Sequence, residues 1–270
     1  MANIHPLATV HPGAKLADSV EVGPYAFIDD NVEIGAGTKV LPHATIFSYV
    51  KIGENCSVFP GAVVGAIPQD LKFGGEVSYV EIGDRVNIRE CATINRGTKA
   101  SGKGVTKIGS DTLIMSYVHV AHDCRVGNHC ILTSYVGIAG ETDVDDWAII
   151  GGGTKVHQFS HIGTHAMVGG ASAINKDIPP YSLCGRLPVM FAGVNMVGLR
   201  RRGFSSEVIR NIKDIYDMLY YQGYNFSDAC DRVVQGFPDT PEKAVILDFI
   251  KGSRRGIVRA GETHEKISIE

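Results

Sequence analysis

Aliphatic residues recur along this chain with a period of six. From Ile4 to Val64, again from Ile82 to Ile94, and again from Ile108 to Ile174, every sixth residue is Ile, Val or Leu, at 26 positions in all. Two residues ahead of each lies a column of smaller side chains, including Ala26, Thr38, Ala44, Ala62, Ala92, Ala148 and Ser172. A helix turns every 3.6 residues and would scatter such a column around its surface. A short strand and a tight turn accommodate it, because residues two apart on a strand share one face. The Gly that often follows the aliphatic (Gly23, Gly35, Gly53, Gly127, Gly163) is expected to make the turn, with nearby Asp and Asn. Three repeats then close one triangular coil, and coils stack about 4.8 Å apart. The pattern predicts a mainly β fold, a parallel β-helix of hexapeptide repeats.

Two segments interrupt the period, "AIPQDLKFGGEVSYVE" (66–81) and "RGTKASGKGVTK" (96–107). Long excursions from a solenoid are usually functional. The repeat is expected to stop near "INKDIPPYS", where Pro179-Pro180 cannot continue a ladder. Beyond Ser205 the period becomes helical. Val208, Ile209, Ile212, Ile215, Tyr216 and Leu219 form one stripe behind Ser205 or Ser206 as N-cap. A second helix is expected after Ser227, and a third at "DTPEKAVILDFI" with Thr240 as cap and Pro241 at the first position. The predicted organisation is a β-helix over 1–189 and a helical domain over 190–270.

Composition narrows the function. A net charge of −3 and a pI near 6.4 give no electrostatic case for binding nucleic acid. Six cysteines without a CxxC pair read as reduced thiols, and "MANIHPLATV" lacks the charged and apolar regions of a secretion signal. No apolar run approaches the roughly 20 residues of a membrane span. A cytoplasmic protein without membrane insertion is expected.

The stretch "HVAHDCRVGN" (119–128) concentrates the candidate chemistry. In the register of the repeat, Val120 and Val126 belong to the aliphatic column, and Cys124 joins Cys56 and Cys130 as small core filler. His119 points outward, and His122 and Asp123 fall at the turn. The neighbouring carboxylate can fix the tautomer of His122 and raise its basicity. A metal site would need at least three converging ligands, of which His119 and His122 could supply two. A polar outer face on a non-catalytic scaffold is the third reading. His5, His11, His43, His129, His161 and His165 carry no companion signal.

Several stretches together resemble the UDP-N-acetylglucosamine acyltransferase family: "QDLKF" (69–73), "RGT" (96–98), "HVAHDC" (119–124), "VDDWAIIGG" (144–152), "VHQF" (156–159), "MVGG" (167–170), "GVN" (193–195) and "RRGFS" (201–205). The match runs in order over nearly the whole chain. It implies a left-handed β-helix, a homotrimer with a site between neighbours, and the first step of lipid A biosynthesis. In that step a 3-hydroxyacyl group passes from acyl carrier protein to the sugar 3-hydroxyl of UDP-N-acetylglucosamine. Transfer is direct, with no cofactor, metal or covalent enzyme intermediate implied.

By the same resemblance His122 is the general base, Asp123 orients it, and the backbone N–H of Gly140 stabilises the oxyanion. Gln69, Asp70 and Lys72 match residues that grip the donor chain and the sugar. His119, His157, Gln158, Asn195, Arg201 and Arg202 match nucleotide-sugar contacts. The arginines of "RRR" (200–202), with Arg254 and Arg255, are also placed to dock an acidic carrier protein. Gly170 matches the residue that limits acyl length, and having no side chain it implies long donors of roughly fourteen carbons or more, the end of the channel being unblocked. Glu141 and Asn95 stand where relatives commonly carry histidines, so contacts near the sugar differ, and the choice between a 3-hydroxyl and a 3-amino acceptor stays open at this point.

Overall fold

In the computed structural model, which describes residues 1–261, each repeat forms a strand of two to four residues. The strands build three sheets of 11, 9 and 8 members, parallel except for the last strand of the first, and these are the faces of a triangular prism. The first face begins at Asn3–Ile4, the second at Thr9–Val10 and the third at Lys15–Leu16. Each strand pairs with the one a full coil later, Ile4 opposite Val22 and His119 opposite Gly137. The aliphatic column fills the interior. Ile28, Ile46, Ile88, Ile114, Leu132 and Ile150 are all completely buried. The first members differ: Ile4 is exposed and Val10 and Leu16 are half-buried, because no coil covers that end. Threonines in the small column are bonded at the corners, Thr38 Oγ1 donating to Gly53 O at 2.8 Å and accepting from Cys56 N at 3.0 Å. Buried hydroxyls paired this way escape the penalty of an unmet bond.

The corners are built differently from the expectation. The residue with left-handed φ is the third after the aliphatic, not the glycine that follows it: Tyr25, Asn31, His43, Tyr49, Asp123, Trp147 and Ala171 all lie there. The glycines serve close stacking instead. A methyl on Gly35 would lie 2.7 Å from the Gly53 carbonyl of the next coil. Neither Gly169 nor Gly170 supplies the turn conformation of its corner, which falls on Ala171.

The prism also runs further than predicted. Ile178 bridges to Ile162, Pro179-Pro180 occupy a corner rather than a strand, and Ser182–Gly185 adds to the first face beside Met167–Val168. That strand turns back through Met190–Val194 as an antiparallel hairpin, so the division expected at residue 189 falls between its two strands. Helices follow: α1 (Met196–Arg201), α2 (Ser206–Tyr221), α3 (Phe226–Gly236) and α4 (Pro241–Gly252). Ser205 caps α2 and Thr240 caps α4 as expected, but α3 is capped by Asn225 and starts before Ser227. Residues 262–270 of the predicted helical domain lie outside the described residues. Asp177 ties the tail to the prism, accepting from His161 N at 2.8 Å and from Ser253 Oγ at 2.6 Å.

Both interruptions leave from the corner between the second and third faces. The strands around them extend inward to Ala66, Tyr79, Asn95 and Val105, so the true excursions are 67–78 and 96–104. His122 and Asp123 occupy this same corner, two coils closer to the helices than the first excursion. The fold thereby brings two loops and one histidine to one edge.

Candidate active site

Asp123 turns that corner with φ 59° and is completely buried, and His122 beside it is nearly so. His122 Nδ1 lies 2.8 Å from Asp123 Oδ2. Since the carboxylate accepts, Nδ1 carries the proton, and in the neutral imidazole the lone pair is then on Nε2. Asp123 is itself gripped by the second excursion: Thr98 N donates to Oδ1 at 2.9 Å and to Oδ2 at 3.0 Å, and Thr98 Oγ1 donates to Oδ2 at 2.7 Å. Gly97 must be bare there, because a methyl would lie 2.2 Å from Val105 N and 2.7 Å from Asp123 Oδ1. Lys103 Nζ adds a bond to the Asp123 carbonyl at 3.3 Å.

One coil on, Gly140 lies directly against the imidazole. A methyl on it would fall 2.4 Å from His122 Nε2. The N–H groups on either side, of Ala139 and Glu141, are spent on coil-to-coil bonds, to Val156 O and His122 O. That of Gly140 makes no hydrogen bond among the described residues, so it is free to meet a ligand oxygen. Gln158 follows in the same column, one coil further, and its carbonyl accepts from His157 Nδ1 at 3.0 Å and from Arg255 Nη1 at 3.2 Å. Arg255, expected on a free basic face, instead joins the tail to this column and also donates to Asn175 O.

The first excursion closes over the imidazole from the other side. Asp70 Oδ2 stands 3.6 Å from His122 Nε2, while its Oδ1 accepts from Lys72 N at 3.0 Å. Gln69 and Lys72 are exposed on the same loop. Asn95 holds the loop's root, donating to Ile67 O at 2.7 Å, and Glu76 joins the two excursions by accepting from Lys99 N at 2.9 Å. His119 lies on the second face, sharing a 2.7 Å hydrogen bond with Thr93 Oγ1. Burial, and secondarily the Lys155 charge, hold its imidazole below the ordinary histidine range.

The remaining predicted residues sit on other corners. Gly170 is at the corner between the first and second faces, close to Gly152 O. Asn195, Arg201 and Arg202 are at the corner between the third and first. Asn195 caps α1 by accepting from Gly198 N at 3.1 Å, and its amide donates to His165 O at 2.9 Å. Arg202 lies over the Trp147 ring and donates to His165 Nδ1 at 3.1 Å, while Arg201 is exposed. His165, unremarkable in sequence, stacks between Trp147 and Tyr181. Burial, with the Arg202 charge, pushes its pKa down to about 4. His161, too, has a partner in Asp145 at 2.9 Å. Thr98 and His165 were not legible as site neighbours, since both depend on contacts remote in sequence.

The first face carries a further feature. Its outward positions are polar in early coils (Glu21, Lys39, Ser57) but become Leu113, Ile131, Ile149 and Met167 in consecutive later ones. This half-buried apolar strip reaches the coil of Gly170. Among the described residues no three or more His, Cys, Asp or Glu side chains are grouped to hold a metal, and no helix is long and apolar enough to cross a membrane.

Comparison with known proteins agrees with this architecture. Residues 106–140 match the bacterial transferase hexapeptide family (six repeats), and 177–258 match the second domain of UDP-N-acetylglucosamine O-acyltransferase. The acyl-[acyl-carrier-protein]--UDP-N-acetylglucosamine O-acyltransferase of Sulfurihydrogenibium sp. (strain YO3AOP1) is 57% identical over 257 residues, covering 95% of this chain and 94% of that one. The UDP-N-acetylglucosamine acyltransferase structure from Bacteroides fragilis 9343 superposes with a TM-score of 0.93 at 49% identity, over 95% of this chain and 100% of that one. That from Francisella novicida gives 0.92 at 38% identity, over 99% and 100%. The fold shared with them is the left-handed parallel β-helix with a helical C-terminal region. The chain belongs to the UDP-N-acetylglucosamine O-acyltransferase family.

Proposed function

We propose that this chain moves a 3-hydroxyacyl group from acyl carrier protein to the sugar 3-hydroxyl of UDP-N-acetylglucosamine, the opening step of lipid A biosynthesis. It does so in the cytoplasm, in clefts between the subunits of a homotrimer. The observation that carries the reading is the buried His122–Asp123 pair, its Nε2 set against bare Gly140 and facing the Asp70 carboxylate. A sugar hydroxyl is a poor nucleophile at neutral pH and needs a base as it attacks. His122 Nε2 takes the hydroxyl proton while the oxygen bonds to the thioester carbon. The carbonyl becomes an oxyanion, which the Gly140 N–H stabilises. Collapse breaks the C–S bond, and the imidazolium returns its proton to the departing thiolate sulfur, releasing the carrier as a thiol. Asp123 keeps the imidazole in the required tautomer throughout.

The placement of the other residues supports a site between copies. His122 and Asn195, Arg201 and Arg202 occupy different corners of one prism, so they meet around one ligand only when one copy's corner faces another's. In this arrangement Gln69, Asp70, Lys72, His119, Glu141, His157 and Gln158 line the sugar and donor side. The apolar strip from Leu113 to Met167 carries the acyl tail toward Gly170, and exposed Arg200, Arg201 and Arg254 receive the acidic carrier.

The test is direct. Purified protein is incubated with UDP-N-acetylglucosamine and 3-hydroxyacyl carrier protein, the product is read by mass spectrometry, and the assembly mass by light scattering. The account expects a 3-O-acyl product and a mass three times the 29.0 kDa chain. No product with any acyl donor would favour a binding scaffold, and transfer only to the 3-amino analogue would reassign the acceptor.

A further inference from the structure

Three of the four hydrogen bonds on the Asp123 carboxylate come from one residue. Thr98 donates its N–H to both carboxylate oxygens and its hydroxyl to Oδ2, the oxygen that also meets His122 Nδ1. Thr98 is 1% exposed and Asp123 is fully buried, so no water competes with these bonds. The 96–104 excursion in turn holds Thr98. Its carbonyl accepts from Gly104 N at 3.2 Å and from Ser101 Oγ at 3.0 Å, and its Oγ1 accepts from Ser101 N at 3.3 Å. Lys99, next in the chain, is anchored to Glu76 of the other excursion. The backbone at Gly97 approaches Asp123 so closely that no side chain fits between them. A loop packed only for its own stability has no need to spend a backbone N–H and a hydroxyl on the carboxylate behind the base.

We infer that Thr98 is a positioning residue for acyl transfer: its hydroxyl fixes the rotation of the Asp123 carboxylate, and so the tautomer and aim of His122. The inference rests on His122 being the base. The hydroxyl also shares the negative charge of Oδ2, limiting how strongly that oxygen stabilises the imidazolium. With the donor removed, the freed charge holds the imidazolium's proton more firmly, so the base releases it only at higher pH.

The experiment compares Thr98→Val, which keeps shape and N–H but loses the hydroxyl, with Thr98→Ser, which keeps the hydroxyl. Wild type and His122→Ala are measured alongside, all as the full chain with acyl carrier protein donor. Thr98→Val is expected to lose roughly tenfold in kcat, the scale of one hydrogen bond to a charged group, with KM for UDP-N-acetylglucosamine little changed. The acid limb of its kcat/KM profile should move to higher pH, and Thr98→Ser should restore both rate and profile. A Thr98→Val enzyme with the wild-type rate and profile overturns the inference. So does a loss of activity that tracks a lowered Tm with an unmoved profile. If Thr98→Val does not fold, Thr98→Ala removes the same donor and is read the same way. An inactive wild type, or an active His122→Ala, would defeat the proposed function itself, which is a different outcome.

Discussion

Gly140→Ala offers a sharp perturbation, because the added methyl has one neighbour that matters. It would lie 2.4 Å from His122 Nε2, 2.5 Å from Cε1 and 3.0 Å from Cδ2. Ordinary contact begins near 3.4 Å, so the imidazole must retreat by roughly 1 Å, a misplacement that can cost about 10²-fold in rate. The backbone of Gly140 is outside the left-handed region, so alanine adds no main-chain strain. Overpacking costs typically 1–3 kcal/mol, and at roughly 2–4 °C per kcal/mol for a chain of this size the melting temperature should fall by no more than about 12 °C. The assay is steady-state acyl transfer with both substrates, beside a melting curve and the assembly mass. Gly252→Ala, whose methyl meets nothing within 4 Å, serves as the control for a glycine change as such. A folded Gly140→Ala enzyme within about twofold of wild type would refute the placement of the reacting atoms against this imidazole.

Two further outcomes follow from other parts of the fold. Wild type should prefer 3-hydroxyacyl donors of about fourteen carbons or more over ten, by about 3 kcal/mol for four methylenes at about 0.8 kcal/mol each, more than a hundredfold. Gly170→Met should reverse the order, and competition among ten-, fourteen- and sixteen-carbon donors reads it; an unchanged ranking would leave Gly170 a corner residue only. His165, held neutral down to about 4 by burial and Arg202, binds its proton more readily in the unfolded chain, where the ordinary value is 6.5. The folded state therefore loses stability as pH falls from 6.5 toward 4. The melting temperature of His165→Gln should decline less steeply over that window than that of wild type, and equal slopes would contradict the assignment.

The prism was legible because its information is local. Each coil repeats the same choice of aliphatic, small and turn residues, and the period survives single exceptions. The corner conformation was not, since the left-handed position accepts Tyr, His, Trp, Asn and Ala alike and leaves no residue signature. Pro179-Pro180 misled by chemistry that is correct for a strand but irrelevant in a corner, which hid the hairpin of Ser182–Gly185 and Met190–Val194. Helix α1 is too short to show a period, and the α3 cap was missed because Asn225, accepting from Asp228 N, stands two residues before the expected serine. At the site, His122 and Asp123 are adjacent in sequence and announced themselves. Thr98 sits 25 residues from Asp123 and reaches it only because an excursion folds back to its own corner. Asp70 meets His122 for the same reason, and in sequence it was visible only through the resemblance of "QDLKF".

The most direct measurement of the central claim, that His122 is the base, is the turnover of His122→Ala with 3-hydroxyacyl carrier protein and UDP-N-acetylglucosamine. The account predicts a fall of about 10²–10⁴, the range for losing general base assistance, with assembly mass and melting temperature close to wild type and with chelators without effect on the wild-type enzyme. A variant that turns over near the wild-type rate, or a wild-type enzyme inactivated by chelation and rescued by zinc, would contradict it.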